Sequence, residues 1–259
     1  MHNVIKLTTM DYSIRLKERL LANALNLCDK KSFSGIQRES AFLFNDIAMS
    51  FYPDTFTSIC DNIDYKKRLD KPHSKVPNFK EMQSSNSSDA LLMNFFAHPG
   101  IKEWKSLRDL ISINKSDNIE FGWNPEFSNE TSHKTEIDMK IGNSIFEAKL
   151  TEKDFTSKEL QVVLEYSNVE NIIDLQVLTN KNVVSNYQLI RNLLTAEKYD
   201  YKFNLLIDES RIDLIREFYK VKSSIKASYL SDNFNFITWQ EISNCVGIDL
   251  KNYITEKYF

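Results

Sequence analysis

Acidic and basic side chains alternate with apolar ones along residues 135–150, on either side of Gly142-Asn143. Alternation with a period of two is typical of a β-strand, and glycine at the first central position suits a two-residue type II′ hairpin turn. Such a turn would place Asp138 opposite Glu147. Two carboxylates that face each other repel, unless a divalent cation with its preference for oxygen ligands lies between them. The hairpin therefore predicts a metal site suited to phosphodiester hydrolysis.

The same register assigns the side chains of the hairpin to two faces of the sheet. Lys149 lies two residues beyond Glu147, where its ammonium could hold a phosphate or orient a metal-bound water. Glu136 would face Lys149, where it could join the metal shell or tune the basicity of the amine. The alternative is an exposed face with an ordinary Glu136–Lys149 ion pair. The other face should pack into the core through its apolar residues, which are Met139, Ile141, Phe146, Ala148 and Leu150.

Two stretches of the chain resemble a known group of nucleases. Asp138 followed by Glu147-Ala148-Lys149 resembles the D…(D/E)-x-K signature of the restriction-endonuclease-like, or PD-(D/E)xK, superfamily, although Ile137 stands in place of the signature proline. Upstream, residues 87–96 resemble Ser-Ser-x-Ala-x-x-x-Asn-x-Phe, the opening helix of a bacterial family of predicted restriction endonucleases. The hairpin sequence through Glu152 resembles the same family.

This resemblance implies Mg²⁺-dependent hydrolysis of double-stranded DNA by a type II-like restriction or defence endonuclease, with Mn²⁺ as a substitute. Asp138 and Glu147 would hold the metal. Lys149 would position or deprotonate the attacking water and stabilise negative charge that develops on the scissile phosphate. The resemblance further implies an α/β fold with a restriction-endonuclease-like core, in which helices flank a central mixed β-sheet.

Three further residues could support this site. The resemblance places an acidic residue near Glu126, which is a candidate extra metal ligand or else an exposed carboxylate at the end of a strand. The run 187–192 resembles the helix after the core in this family, where a glutamine approaches the active site, so Gln188 is assigned a supporting role. Arg191 lies one turn further along the same helical face and could contact a phosphate.

The order of predicted elements from residue 87 onward is helix, three strands, helix, strand, helix, strand, helix, which suits a mixed sheet covered by helices. We expect a nuclease core over residues 86–259 and an N-terminal helical region over residues 1–85, for DNA contact or dimerisation. The N-terminal region should contain helices at 11–28 and 37–51 and a polar loop at 57–86. Residues 61–80 are the most basic stretch of the chain, either a solvated loop or an arm that grips phosphates.

Composition excludes several other classes of protein. The net charge of −3 provides no overall basic field, which counts against a DNA coat protein but not against a nuclease with one basic cleft. Three widely spaced cysteines and four scattered histidines predict neither a disulfide framework nor a zinc site. No signal sequence, apolar membrane span or Gly-x-x-x-x-Gly-Lys nucleotide loop is visible, so we expect a cytoplasmic protein without membrane contact.

Two alternatives to a DNA endonuclease stay open at this stage. The first is an exonuclease, a repair nuclease or an enzyme that cuts RNA, and cleavage of a circular substrate would separate it from an endonuclease. The second is a non-catalytic nucleic-acid-binding or regulatory protein with a nuclease-like fold. Duplex cleavage at a short site usually needs two active sites, so the endonuclease hypothesis predicts a homodimer. Nothing in the sequence marks the bases that would be recognised.

Overall fold

The computed structural model describes residues 10–126 and 136–259. The helices are α1 Met10–Lys31, α2 Pro53–Asp61, α3 Ile63–Arg68, α4 Ser88–Phe96, α5 Lys105–Ile111, α6 Leu160–Leu164, α7 Val169–Ile172, α8 Tyr187–Tyr199, α9 Ile212–Ser224, α10 Ser228–Asp232, α11 Trp239–Asn244 and α12 Ile248–Tyr258. The strands are β1 Gly35–Arg38, β2 Ala41–Phe44, β3 Ile119–Trp123, β4 Ile137–Ile141, β5 Ser144–Ala148, β6 Ser157–Glu159, β7 Thr179–Asn180, β8 Val183–Ser185, β9 Lys202–Ile207 and β10 Phe234–Thr238.

A five-stranded mixed sheet with the order β10-β9-β5-β4-β3 forms the centre of the fold. The strands β3, β4 and β5 are antiparallel neighbours, whereas β5, β9 and β10 run parallel. Every residue of β5 is buried, because helices cover both faces of the sheet at its centre. The predicted α/β class and its mixed, helix-flanked central sheet are confirmed.

The central hairpin has the predicted register. Ile141 pairs with Ser144 and Met139 pairs with Phe146. Gly142 adopts φ +53°, the left-handed conformation that favours glycine at this position of the turn. The five apolar residues predicted to share one face all belong to a single buried cluster, together with side chains of α1, α4, α11 and α12.

Helices α8 and α9 cover the opposite face of the sheet. Their apolar residues form a second core with Ile145 of β5 and with the side chains of β9 that point toward them. On the polar side of the hairpin, Glu147 contacts α8 through Asn192, whereas Glu136 stays exposed. This arrangement buries Glu147 and Lys149, which are 2% and 5% exposed.

The prediction of a helix over residues 37–51 is wrong. The structure forms the hairpin β1–β2 there, followed by a 3₁₀ helix at Ile47–Ser50. Phe42 and Phe44 lie two residues apart and pack with Ala24 of α1, which is the spacing of one strand face. Asp46 then caps the 3₁₀ helix by accepting a hydrogen bond from the amide of Ala48 at 2.9 Å.

Other local predictions also needed correction. The polar loop predicted at 57–86 contains the end of α2 and all of α3, which begins where the Asn62 side chain accepts hydrogen bonds from two backbone amides. The strand predicted at 174–178 is instead a 3₁₀ helix at Leu175–Val177, capped by Asp174. A small sheet with the order β6-β8-β7 was not predicted. The predicted polar loop at 128–134 lies outside the described residues.

No helix in the described ranges combines the length and the apolar character needed to cross a membrane.

Candidate active site

Asp138, Glu147 and Lys149 lie together at the end of the β4–β5 hairpin opposite its turn, near the start of β4 and the end of β5. One Asp138 oxygen, Oδ2, accepts a hydrogen bond from the amide of Ala148 at 2.8 Å. Lys149 Nζ lies 2.8 Å from Glu147 Oε1. The backbone amide of Lys149 donates to the carbonyl of Leu206 at 2.8 Å, which extends the β5–β9 pairing beyond the strand. The sheet itself thus positions all three side chains.

The two carboxylates have opposite electrostatic environments. Burial raises the pKa of Asp138 well above its ordinary value, and the charges of Glu147 and Asp89 raise it further. Burial would also raise the pKa of Glu147, but Lys149 and Arg191 outweigh it and lower that pKa. Glu147 is therefore the ionised member of the pair. Ionising Asp138 as well would bring two negative charges together, which is costly without a cation.

Lys149 is held as an ammonium. Burial alone would lower its pKa, but the carboxylates of Glu147, Glu152 and Asp138 outweigh burial and raise it above the ordinary value. Glu152 is itself fixed, because it accepts hydrogen bonds from Ser88 Oγ and from the amide of Leu150, both at 2.6 Å. Glu152 thus joins the start of α4 to the loop that carries Lys149, a contact that the sequence did not reveal.

Asn192 of α8 is a second site residue that the sequence did not reveal. Its side chain is fully buried, and Nδ2 donates to Glu147 Oε2 at 2.8 Å. Since Lys149 contacts the other oxygen, the Glu147 carboxylate is held from both sides. Asn192 lies one turn beyond Gln188, so the helical spacing that singled out Gln188 could have indicated it.

If Glu147 holds a metal, we expect Asn192→Ala to reduce the activity that depends on this metal by about 10–100-fold, the usual effect of removing a side chain that orients a metal ligand. The substitution would also remove a hydrogen bond to the charged, buried Glu147 carboxylate, so the free energy of unfolding should fall by about 1.5–3 kcal/mol. Urea unfolding and initial cleavage rates of the same preparations measure the two effects. Asn94→Ala is the matched control, because Asn94 is a fully buried, hydrogen-bonded asparagine on α4. Equal losses of activity in the two variants would contradict a specific role for Asn192.

A second charged cluster adjoins the first and draws on the basic stretch of the N-terminal region. Asp89 of α4 forms ion pairs with Arg68 at 3.2 Å and with Lys71 at 2.9 Å. Arg68 also pairs with Glu136 at 2.8 Å. Glu136 therefore contacts Arg68 rather than the predicted partner Lys149. Arg68 and Lys71 are bound within this cluster, unlike residues of a solvated loop.

Glu81 completes this cluster and should make stability depend on pH. Burial and the neighbouring charge of Asp89 raise the pKa of Glu81 to about 7. The folded protein therefore holds a proton that the unfolded chain releases above about pH 4.3, and stability should fall as pH rises from there to about 7. Glu81→Gln removes this titration, so its stability relative to the wild type should increase between pH 5 and pH 8 in urea unfolding. Glu39→Gln, in an exposed turn, is the control. A pH-independent difference for Glu81→Gln would contradict this explanation.

The supporting residues predicted from the sequence take different positions. Arg191 donates to the carbonyl of Glu136 at 3.2 Å, and its charge lowers the pKa of Glu147, so it lies at the site. Gln188 is half-buried, and its Oε1 is a buried atom without a hydrogen-bond partner among the described residues. Glu126 is exposed beyond β3, where its backbone contacts the Tyr199 hydroxyl. The contacts described for Glu126 do not include Asp138, Glu147 or Lys149.

A family model described as restriction endonuclease associating with ARP (REase-ARP) matches residues 51–259. The chain belongs to this family. The match includes the central sheet and every residue of the two charged clusters described above. It begins before α2, so Arg68 and Lys71 lie within the family unit. Searches of curated proteins and of solved structures found no match.

The donor set of this REase-ARP member fits a hard divalent cation. Asp138 and Glu147 offer two carboxylates whose mutual repulsion a cation would offset. Within residues 10–126 and 136–259, no three His, Cys, Asp or Glu side chains are grouped as ligands of one metal. Two carboxylates, with water and phosphate oxygens filling the other positions, are a usual coordination for Mg²⁺.

Proposed function

We propose that this protein is a metal-dependent endonuclease of the PD-(D/E)xK superfamily that hydrolyses phosphodiester bonds of double-stranded DNA in bacterial restriction or defence. The observation that carries the proposal is the meeting of Asp138, Glu147 and Lys149 at the end of the central hairpin opposite its turn, where Lys149 pairs with Glu147 at 2.8 Å and the charge of Glu147 raises the pKa of Asp138. Membership of a restriction endonuclease family supports it.

Asp138 and Glu147 would hold Mg²⁺ or Mn²⁺, which when bound supplies Lewis-acid polarisation of the phosphate and an activated water. Asn192 would keep the Glu147 carboxylate in a fixed orientation through its 2.8 Å hydrogen bond. The amide of Ala148 does the same for Asp138.

Lys149 would act through its positive charge. Its raised pKa keeps the amine protonated, so its contribution is stabilisation of the negative charge that develops on the phosphate, in preference to removal of a proton from water. Glu152 supports that role because its carboxylate acts on the ammonium together with those of Glu147 and Asp138.

Arg191 is the cation best placed to bind a substrate phosphate. Among the described residues no carboxylate lies within 4.0 Å of its guanidinium, whereas Arg68, Lys71 and Lys149 all make such ion pairs. Its contacts are a backbone carbonyl and the oxygen of Asn192, the latter at 3.4 Å. A guanidinium without an anionic partner can form charge-assisted hydrogen bonds with a phosphate.

Cleavage assays on three substrates test the proposed function and separate the alternatives. Supercoiled plasmid, linear duplex DNA and RNA of the same sequence would be incubated with the wild type and with Lys149→Met, in Mg²⁺, in Mn²⁺ or with chelator. We expect discrete, metal-dependent cleavage of the closed circle by the wild type alone. Cleavage restricted to linear DNA would indicate an exonuclease, and cleavage restricted to RNA a ribonuclease.

Binding of DNA without any cleavage would favour the non-catalytic alternative. Cutting both strands at one site would need two copies of the centre, so the proposal includes a homodimer on DNA. The family description names an association with ARP, and the same assays with that partner added would identify a partner-dependent enzyme. Sedimentation of the protein with and without duplex DNA measures the oligomeric state.

A further inference from the structure

A cavity of about 620 Å³ is lined in part by the loop that follows β5. Its other walls come from α1, from α9, and from residues of β6, of β8 and of the start of α8. This volume is within the roughly 300–1,000 Å³ that small-molecule sites usually occupy. Arg211 and Ser13 donate hydrogen bonds to the carbonyls of Leu150, Thr151 and Glu152, so the backbone that joins Lys149 of the candidate active site to Lys153 of the cavity lining is held in place.

Three lysines line this cavity. They are Lys17 of α1, Lys153 of the loop and Lys220 of α9. In the described parts of the chain, no carboxylate oxygen lies within 4.0 Å of any of these ammonium groups, in contrast to the ion pairs that Arg19, Lys149 and Arg211 make. Three lysines in one lining, none of them paired with a carboxylate of the described residues, favour an anionic ligand.

The acidic residues in the same walls are already engaged. Asp213 pairs with Arg211 at 2.9 Å, and Glu217 accepts a hydrogen bond from Asn186 at 2.7 Å. Asp154 accepts a hydrogen bond from the amide of Thr156 at 2.8 Å. Only the contact of Asp213 neutralises a charge, so Asp154 and Glu217 remain as two negative charges in the lining against the three lysines.

The remaining walls combine apolar surface with hydroxyl groups. Ile14 is 41% exposed, although it is a large aliphatic side chain, and the buried Leu214 also lines the cavity. Thr156 lines the cavity at φ +57°, a strained conformation for a β-branched residue. Such strain is concentrated at functional sites, so the position of Thr156 in the wall supports a binding role.

We propose that this cavity, the nucleotide pocket, binds a nucleotide unit. The phosphate would contact the three lysines, the sugar would contact the hydroxyls, and the base would lie against Ile14 and Leu214. The unit could belong to a DNA strand that extends from the active site, which rests on the proposed function, or it could be a free nucleotide. The chemistry of recognition is the same in both cases.

Binding measurements with matched lysine variants test the nucleotide pocket. The test protein carries Lys17→Gln, Lys153→Gln and Lys220→Gln, and the control carries Lys102→Gln, Lys202→Gln and Lys251→Gln, none of which lines the cavity. Ile14→Glu is a second test variant, which adds a negative charge at an exposed helical position. Duplex and single-stranded oligonucleotides and deoxyadenosine monophosphate would be titrated in chelator, so that no cleavage interferes, with thermal unfolding as the folding check.

We expect the pocket variants to bind at least one of these probes tenfold or more weakly than the control does. If the ligand is a DNA strand, the slope of log affinity against log salt should become shallower by about 0.7–0.9 for each phosphate that the pocket no longer neutralises. If it is a free nucleotide, the pocket variants should bind deoxyadenosine monophosphate more weakly than the control does, while both bind the oligonucleotides equally well. Unchanged binding of all probes by folded pocket variants would overturn the proposal. Because these titrations need no catalysis, failure of the cleavage assays would leave their outcome intact.

Discussion

Asp138→Asn should abolish metal-dependent DNA cleavage while increasing the stability of the metal-free protein. Loss of a metal ligand in the reacting centre should lower the rate by on the order of 10³-fold or more. The neutral amide also removes a carboxylate whose pKa is raised by burial and by the charges of Glu147 and Asp89, so the folded state gains free energy. Initial cleavage rates and urea unfolding in chelator measure the two effects.

The stability gain from Asp138→Asn should depend on pH with a defined sign. A carboxyl with a raised folded pKa binds more protons in the folded state, so wild-type stability falls as pH rises from about 3.9, its ordinary value, toward the raised folded value. The variant lacks this decrease, and its advantage should therefore grow with pH. Glu120→Gln, which breaks a 2.8 Å pair with Lys140 on the same sheet, is the control. An active or destabilised Asp138→Asn protein would contradict the assignment.

Arg211→Ala should cause the largest loss of stability among single substitutions near the site, about 3–5 kcal/mol. Arg211 is fully buried and contacts Asp213 through two hydrogen bonds of 3.0 and 2.9 Å. It also donates to the carbonyls of Leu150 and Glu152, both at 2.8 Å. Its removal would leave a buried carboxylate and two carbonyl groups without their partner. Urea unfolding measures the change.

The matched control for Arg211 is an ion pair on the surface. Lys105→Ala removes the partner of Asp109, and both residues of that pair are exposed, so the loss should be below about 1 kcal/mol. A loss below about 1 kcal/mol for Arg211→Ala as well would show that the loop after Lys149 is held by other contacts. The larger predicted loss follows from burial of the Arg211 pair, because solvent does not reach the guanidinium or screen its charge there.

The central hairpin could be predicted because the features that determine it lie close together in the sequence. Alternation along β4 and β5 and a glycine in the turn determine the register, and the register brings Asp138 and Glu147 to adjacent strands. The position of Lys149, one residue beyond β5, follows from the same alternation. These features involve residues that are close in the sequence, and the structure places them as expected.

The partners of these residues could not be predicted in the same way, because they come from distant parts of the chain. Asn192 contacts Glu147 across 45 residues, and Glu152 contacts Ser88 across 64 residues. Arg68 contacts Glu136 across 68 residues, so Glu136 pairs with Arg68 and not with Lys149 as predicted. Only the packing of α3, α4 and α8 against the sheet determines which of many polar side chains reach the site.

The wrong helix at 37–51 has a different physical cause. Phe42, Leu43 and Ile47 fit a helical spacing, but Phe42 and Phe44 also fit one face of a strand. The contact with α1 decides between the two patterns, since Phe42 and Phe44 are both buried in the cluster with Ala24. Tertiary packing overrides local preference in such short apolar segments.

The most direct test of the metal-dependent active site is a joint titration of metal binding and cleavage. Mn²⁺ binding and plasmid cleavage would be measured on the same preparations of wild type, Glu147→Gln and the Glu120→Gln control, after their stability has been checked. We expect wild type and control to bind Mn²⁺ and cleave the plasmid, and Glu147→Gln to lose both properties together. Cleavage by folded Glu147→Gln, or Mn²⁺ binding equal to that of the wild type, would contradict the assignment of this carboxylate to the reacting centre.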